Sequence, residues 1–428
     1  MIKKEFAEIY SGLTVMKKRI AFIVQRYGKE VNGGAEFHCK LIAERLTSNY
    51  DVDVLTSCAQ DYRTWDNKYQ PGREVINKVN VLRFPTEHPR LNKKFRSLSR
   101  KFSHRKPYFK VLRFLGLLKS YHRLVPPKFT AQDNFNWAKF QGPYVPSLLE
   151  YLKAEEGKYD VLIFFTYLYY PTICGIAIRP EKSILIPTAH DEPPIYFPVF
   201  KDLFSKPKAI LYNTLAEKRF VNRLFNNEQV YDDVVGVGIE NVDLESDGQS
   251  HHILKNSSPY LIYIGRIDVS KGCKILCEYF LKYKQQVDTD LKLILVGQPF
   301  MKIPVHADII VMGFVDEGIK RALLKDAKAL VIPSFYESLS MVTLEGMAQG
   351  IPIIANSHCE VLQDHIENSK AGFTFDNFDT FKVALNTLFS EDTSLELLQL
   401  NGRRYVKENY QWDVVLNKIK SAIEFIAH

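Results

Sequence analysis

The sequence predicts a two-domain α/β protein in which each domain is built around a doubly wound, mainly parallel sheet. The chain has 428 residues, more than a single hydrophobic core usually accommodates, so two domains are expected. Its composition, 46% hydrophobic and 25% charged, is that of an ordinary globular protein. Short β-branched runs alternate with amphipathic helical patterns through both halves, which favours parallel strands joined by right-handed crossovers.

The first half of the chain begins with a strand at 19–25. This near-continuous apolar run is typical of a parallel strand buried on both faces. An amphipathic helix is predicted over about 35–48. Five further strands are predicted downstream, at 51–56, 79–84, 159–165, 183–187 and 209–212.

The second half repeats this alternation. Strands are predicted at 260–264, 291–296, 309–312, 329–332 and 351–355. Helices are predicted between them, at 271–284, 316–327 and 340–349. The pattern again favours a doubly wound sheet, whose ligands bind beyond the carboxyl ends of the strands.

Domain boundaries follow from the polar segment 243–258, which we interpret as a linker. Residues 1–18 are predicted to be an N-terminal tail, without the apolar segment of a secretory signal. The predicted units are a first domain at 19–245, a second domain at 246–410, and a helical segment at 411–428 that crosses back to the first domain.

Charge and cysteine content exclude several classes of site. Residues 88–132 contain 13 Lys or Arg and no Asp or Glu. This segment alone carries more positive charge than the net charge of +8, so the rest of the chain is near neutral or slightly acidic and a general polyanion-binding protein is not predicted. Of six scattered cysteines, only Cys273 and Cys277 are close together, so free thiols in a reducing cytoplasm are expected and a metal site is not. No apolar run approaches the ~20 residues of a membrane span.

The segment 264–272, IGRIDVSKG, follows a predicted strand and opens a helix. Gly265 permits a tight turn, and Arg266 and Lys271 place two cations near a helix N-terminus, where a diphosphate would be held well. A helix cap with two solvated cations is the alternative interpretation from these residues alone.

A second strand–loop–helix segment, at 333–352, carries Glu337 in the loop and Glu345 in the helix. The backbone N–H groups of 338–341 stand at the helix start and favour an anion. Carboxylates on either side suit vicinal hydroxyl groups, so one end is expected to hold a hexose and the other a ribose.

At this point the sequence resembles the retaining glycosyltransferases of family 4, which have the GT-B fold. The resemblance is strongest over 260–355, through four stretches in the family's order and spacing: IGRIDVSKG, LVGQP, MGFVDE and PSFYESLSMVTLEGMAQGIPIIA. It implies two Rossmann-like domains facing a central cleft, an acceptor domain first and a nucleotide-sugar donor domain second.

The resemblance also implies roles for individual residues. Arg266 and Lys271 match the pair that binds the donor diphosphate, Glu337 the glutamate that contacts the transferred sugar, and Glu345 the one that binds the ribose. The other positions expected to line the donor site are Gly265, Gly297, Gly313, Phe314, Val315, Leu339, Ser340, Met341 and Val342. Ser340 departs from the family, which commonly has glycine there.

In the first half the resemblance is weaker and rests on two places. Gly33 and Gly34 form either a plain turn or, as the resemblance implies, a loop that lets the backbone approach the β-phosphate and acceptor. His190 is either a packing residue or, by the resemblance, a contact of the sugar near the reaction centre. Asp191 and Glu192 are secondary candidates.

The resemblance implies retaining transfer of a hexose from a UDP- or GDP-sugar, without a metal cofactor. The expected acceptor is a saccharide or lipid-linked saccharide of cell-surface polysaccharide or glycoconjugate synthesis. The alternative is a non-catalytic or hydrolytic nucleotide-sugar-binding protein of the same fold. An epimerase lacks support because its motif context differs, and a phosphorylase because no cofactor-lysine signature is present.

The basic segment 90–128 interleaves cations with aromatic and apolar residues, and 108–124 fits an amphipathic helix. One interpretation is a solvated helix that covers the domain core. The other is a peripheral contact with the anionic inner face of the cell membrane, which suits a lipid-linked acceptor. Nucleic-acid binding is the least favoured of the three.

Overall fold

The structure is a computed structural model, and it describes residues 17–31, 33–102, 130–155, 157–240 and 258–427. Nearly all of the predicted tail and linker, and all of the helix predicted at 108–124, lie outside these ranges. The described residues form two separate α/β sheets, so the predicted pair of doubly wound domains is confirmed.

The first sheet has eight strands in the order β3-β4-β2-β1-β5-β6-β7-β8. Among them β3 alone runs antiparallel, as an edge strand on β4. The strands are β1 (Arg19–Ile23), β2 (Asp51–Ser57), β3 (Gly72–Ile76), β4 (Val79–Phe84), β5 (Val161–Phe165), β6 (Ser183–Ile186), β7 (Ala209–Tyr212) and β8 (Tyr231–Val234).

The second sheet has six parallel strands in the order β11-β10-β9-β12-β13-β14. Apart from β3, both sheets begin at a central strand, extend to one side, and then return to extend to the other, which is the Rossmann order. The strands are β9 (Tyr260–Ile264), β10 (Lys292–Val296), β11 (Ile309–Gly313), β12 (Ala329–Ile332), β13 (Ile353–Asn356) and β14 (Gly372–Phe375).

Helices connect the strands of both sheets. In the first domain they are α1 (Gly34–Leu46), α2 (Asn92–Phe102), α3 (Ala131–Gln141), α4 (Pro146–Ala154), α5 (Tyr170–Gly175) and α6 (Leu215–Phe225). The second part of the chain has α7 (Cys273–Gln286), α8 (Glu317–Lys325), α9 (Met341–Gln349), α10 (Glu360–Ser369), α11 (Phe378–Leu388), α12 (Leu395–Asn409) and α13 (Trp412–Ala427). Across the described ranges, none is both long and apolar enough to cross a membrane.

Both faces of the first sheet are covered, which is why its central strands are apolar throughout. Ile20 and Phe22 of β1 belong to one buried cluster, and Ala21 and Ile23 belong to another on the opposite face. The helix α13 packs on the first of these faces, so the end of the chain completes the core of the first domain.

The helix α2 is the described part of the basic segment. Its apolar residues Phe95, Leu98 and Phe102 pack against the core of the first domain. Its exposed side carries Lys93, Lys94, Arg96, Arg100 and Lys101. This arrangement is that of a helix covering the core, whereas residues 103–128 lie outside the described ranges.

Candidate active site

Three glycine turns form the floor of the candidate site, where β9, β10 and β11 end. The N–H of Gly265 donates to Val296 O over 2.9 Å, and the N–H of Gly297 donates to Gly313 O over 2.7 Å. Gly297 has φ 139°, and a Cβ there would lie 1.9 Å from Gly265 O. A side chain would force these turns apart, so glycine is required at this position.

Arg266, the first of the two predicted cations, is bound by Asp268, which its sequence context alone did not distinguish. Asp268 Oδ1 accepts hydrogen bonds from Ser270 Oγ over 2.6 Å and from the N–H of Lys271 over 2.9 Å, and Oδ2 accepts from Arg266 Nε. Burial opposes ionisation, but these donors together lower the pKa of Asp268. The carboxylate therefore orients Arg266, whose side chain remains 41% exposed.

The second cation meets the first predicted glutamate. Lys271 Nζ lies 2.7 Å from Glu337 Oε1, and the Glu337 side chain is only 16% exposed. The two loops pack closely at Gly272. A Cβ there would lie 2.1 Å from Pro333 O, so a larger residue would push the loops apart. Since β9 and β12 are neighbours at the point where the strand order reverses, this pair lies at the switch point of the second sheet.

The loop ahead of α9 places backbone donors beside this pair. Ser340 adopts the left-handed conformation with φ 61° and ψ 68°, which accounts for the glycine that the family commonly has there. Its hydroxyl lies 2.8 Å from Thr343 Oγ1. Leu339 is buried, whereas Met341 and Val342 are half-buried at the first turn of α9. The N–H of Thr343 already donates to Ser340 O over 3.0 Å, so the N–H groups ahead of it, at the very start of α9, are the ones that suit an anion.

The second predicted glutamate, Glu345, lies on α9 about one helical turn after its first residue, Met341. Glu345 Oε2 accepts from Lys320 Nζ over 3.0 Å, and the same ammonium lies 2.8 Å from Glu317. Burial raises the pKa of Glu345, and Lys320 offsets part of that rise. Beyond β11, the Phe314 side chain is 78% exposed, whereas Val315 packs against the core.

From the first domain, His190 faces the same region. Its ring centroid lies 6.1 Å from that of Tyr336. Its Nε2 lies 3.6 Å from Glu192 Oε2, and Tyr167 donates to the other oxygen of Glu192 over 2.7 Å. Burial lowers the pKa of His190, but Glu192 and Glu337 outweigh it and the net change is upward. His190 of the first domain and Tyr336 of the second-domain loop therefore lie next to each other across the cleft.

Gly33 and Gly34 follow β1 and begin α1 at the cleft. A Cβ on Gly33 would lie 2.1 Å from Glu36 Oε2, whereas a Cβ on Gly34 would have no atom within 4 Å. Glu36 is itself fixed by Arg26, whose Nε donates to it over 2.9 Å. The buried Arg26–Glu36 pair thus shapes the turn, and the space beside Gly34 is open.

Two hydrogen bonds cross from one domain to the other around these residues. Tyr62 OH accepts from Arg266 Nη1 over 3.1 Å, and Thr214 Oγ1 donates to Ser338 O over 3.4 Å. The structure therefore places the predicted residues of both halves around one cleft. Tyr62 was missed because nothing in its local sequence distinguishes it from other surface tyrosines. Across the described residues, no cluster of three or more His, Cys, Asp or Glu side chains could hold a metal ion.

Comparison with known proteins gives a family match for part of the chain and relatives that cover almost all of it. Residues 258–391 match the family model for glycosyl transferases group 1. An uncharacterized glycosyltransferase of Methanocaldococcus jannaschii is 23% identical to this chain, over 95% of the chain and 99% of the relative.

Two solved structures cover almost the whole chain. Sucrose-phosphate synthase from Thermosynechococcus elongatus has a TM-score of 0.68 at 16% identity, over 96% of this chain and 99% of that one. HepE from Anabaena, in complex with UDP and glucose, has a TM-score of 0.65 at 15% identity, over 95% and 99%. The chain therefore has the GT-B fold, and its residues 258–391 match the glycosyl transferases group 1 model.

Proposed function

We propose that this protein is a retaining glycosyltransferase that transfers a hexose from a UDP- or GDP-sugar to a saccharide or lipid-linked saccharide. The observation that carries the proposal is the Lys271–Glu337 pair at the switch point, with Arg266 beside it. Support for the nucleotide comes from HepE, whose structure holds UDP and glucose. The match of the IGRIDVSKG and PSFYESLSM motifs to family 4 supports retention.

The chemical step would break the anomeric C–O bond and leave negative charge on the departing diphosphate. Arg266, Lys271 and the N-terminus of α9 would stabilise that charge electrostatically, without a metal ion. Glu337 would orient the hexose through its hydroxyl groups, and Glu345 would bind the ribose. His190 would contact the sugar from the acceptor side. The acceptor proton would leave on a donor phosphate oxygen.

The proposal is tested by incubating the protein with UDP- and GDP-hexoses, with and without a panel of saccharide and lipid-linked acceptors, in buffer containing EDTA. Product that forms only with acceptor, with the donor's anomeric configuration by NMR, supports it. Release of free hexose at the same rate without acceptor would instead support a hydrolytic protein. No turnover, together with nucleotide-induced thermal stabilisation, would support the non-catalytic alternative. Activity that EDTA abolishes would contradict the metal-independent step.

We also propose that the acceptor is met at the inner face of the cell membrane and belongs to cell-surface polysaccharide or glycoconjugate synthesis. The exposed cationic side of α2 supports this, because such a surface attracts anionic lipid headgroups. The test is pelleting with vesicles of phosphatidylcholine alone or mixed with phosphatidylserine, at low and raised salt. Binding that needs phosphatidylserine and is lost with salt is expected, and equal recovery in all supernatants would contradict the proposal.

A further inference from the structure

A buried histidine lies behind the donor loop, outside the set of residues assigned above. His365 on α10 is 1% exposed. Its Nε2 lies 2.8 Å from the carbonyl oxygen of Leu339, and its Nδ1 lies 3.0 Å from the hydroxyl of Tyr405 on α12. Both ring nitrogens are therefore engaged, one by the backbone of the donor loop and one by a helix of the second domain.

The partners fix which nitrogen carries the proton. A carbonyl oxygen can only accept, so Nε2–H donates to Leu339 O. In the neutral ring Nδ1 must then accept the hydroxyl proton of Tyr405. Burial lowers the pKa of His365, although the bond to Leu339 acts in the opposite direction, and the ring is thereby kept neutral. The neutral ring therefore links Leu339 O to the Tyr405 hydroxyl through two hydrogen bonds.

The bond to Leu339 also determines where the next N–H group points. In a trans peptide the carbonyl and the following N–H point in opposite directions. Holding Leu339 O towards His365 therefore turns the N–H of Ser340 away from α10, to the other side of the loop. Ser340 is in the left-handed region, which non-glycine residues rarely adopt, so the loop needs such an anchor to remain in this conformation.

We propose that His365 is a positioning residue that holds the Leu339–Ser340 peptide so that its N–H group and the start of α9 face the donor's sugar and phosphate. The proposal rests on the proposed function, because it assumes that a nucleotide sugar occupies this loop. His365 itself touches neither sugar nor phosphate in this arrangement. Replacing His365 is therefore expected to weaken donor binding because the Leu339–Ser340 peptide moves, and not because a contact between His365 and the donor is lost.

Two variants separate the two ring nitrogens. A glutamine amide reaches about as far as Nε2, so His365→Gln can still donate to Leu339. An asparagine amide reaches only about as far as Nδ1, so His365→Asn can bond Tyr405 but not the loop. Tyr405→Phe removes the bond to Nδ1, together with the 3.5 Å contact between the Tyr405 and Tyr410 hydroxyl groups. His38→Asn is the matched control, because His38 is about as buried and its Nε2 lies 2.9 Å from a backbone oxygen of the first domain, that of Gly236.

Titration calorimetry with UDP and with GDP measures the effect. For the nucleotide that the wild-type protein binds, His365→Asn is expected to weaken binding about tenfold, the loss of one well-placed interaction. His365→Gln and Tyr405→Phe should stay within about threefold. Equal affinity in the Asn and Gln variants, or a loss in His365→Asn no larger than in His38→Asn, would overturn the positioning role.

A second measurement does not depend on any ligand. Hydrogen exchange of a peptide covering 336–344 should be faster in His365→Asn than in His365→Gln. Equal exchange in the two variants would contradict the positioning role even if His365→Asn bound poorly because it was unstable. A wild-type protein that binds neither nucleotide but shows the exchange difference would instead contradict the proposed function and leave the anchor intact.

Discussion

Lys271 Nζ lies 2.7 Å from Glu337 Oε1, and this ion pair joins the loop after β9 to the loop after β12. The cation that we propose for the diphosphate and the carboxylate that we propose for the sugar are therefore in direct contact. Because Glu337 is 16% exposed and Lys271 is 31% exposed, both side chains still reach the cleft.

Replacing Glu337 with Gln is expected to lower kcat by about 10²–10³, the usual cost of removing one preorganised group at a reaction centre. The thermal unfolding temperature should change little, because the side chain faces the cleft. The matched control is Glu360→Gln, which removes an exposed carboxylate 3.6 Å from Arg219. Wild-type kcat in Glu337→Gln would show that the site is placed wrongly.

Replacing Glu345 with Gln is expected to act on binding instead. Its carboxylate is assigned to the ribose, which is remote from the bond that breaks, so the donor KM should rise about tenfold while kcat stays within about threefold. Initial-rate measurements over a range of donor concentrations separate the two effects. A fall in kcat as large as that of Glu337→Gln would contradict the ribose assignment.

Replacing Gly34 with Ala distinguishes a plain turn from a ligand-binding loop. The new methyl group meets no atom within 4 Å, so the unfolding temperature should remain within about 2 °C of wild type. Transfer should nevertheless fall at least about tenfold if the backbone there approaches a phosphate. Gly157→Ala is the control, since it too would meet no atom. Unchanged transfer in Gly34→Ala would support the plain turn.

Ser340 is expected to tolerate glycine but not a β-branched residue. A left-handed conformation costs a non-glycine residue about 1–2 kcal/mol, and Val is among the residues least able to adopt it. We expect Ser340→Gly to keep donor affinity. We expect Ser340→Val to weaken donor binding and to lower the unfolding temperature by about 2–8 °C, since about 1 kcal/mol shifts it by about 2–4 °C in a domain of this size. Differential scanning calorimetry with and without nucleotide measures both quantities, and equal behaviour of the two variants would refute the backbone argument.

Stability at acid pH should depend on His38. Burial lowers its pKa to about 4, although the hydrogen bond to Gly236 O opposes this. Below the unfolded-state pKa of about 6.5 the unfolded chain binds the proton and the folded chain does not, so the unfolding free energy falls as pH drops. The loss approaches about 3 kcal/mol near pH 4.

Urea titrations across this pH range should show a shallower dependence in His38→Gln than in wild type. His306→Asn, which changes a histidine that is 40% exposed, is the control and should retain the wild-type slope. Parallel curves for wild type and His38→Gln would contradict the assignment.

The strands that the sequence missed all lie at sheet edges, whereas those it predicted are interior strands except for β11, which is also at an edge. β3, β8 and β14 each end a sheet. β3 is exposed at four of its five residues, and β8 carries adjacent aspartates. Edge strands have one neighbour and need no continuous apolar run, so hydrophobic pattern gives them little signal.

The candidate site divides in a similar way. Arg266, Lys271, Glu337 and Glu345 stand in loops or helix starts whose local sequence is distinctive, and the structure brings them to one cleft. Tyr62, Lys320 and His365 contact the same region, but only because separate elements pack together. Residue spacing within a single segment does not encode those contacts, so only the three-dimensional structure reveals them.

The packing of α13 has a consequence for how the chain acquires its shape during synthesis. Val415, Ile419, Ala422 and Ile423 are fully buried in the same cluster as Ile20 and Phe22 of β1. The ribosome makes β1 among the first described residues and α13 among the last. The part of this face that α13 covers therefore stays exposed until the second domain has been translated, and the core of the first domain cannot be complete before then.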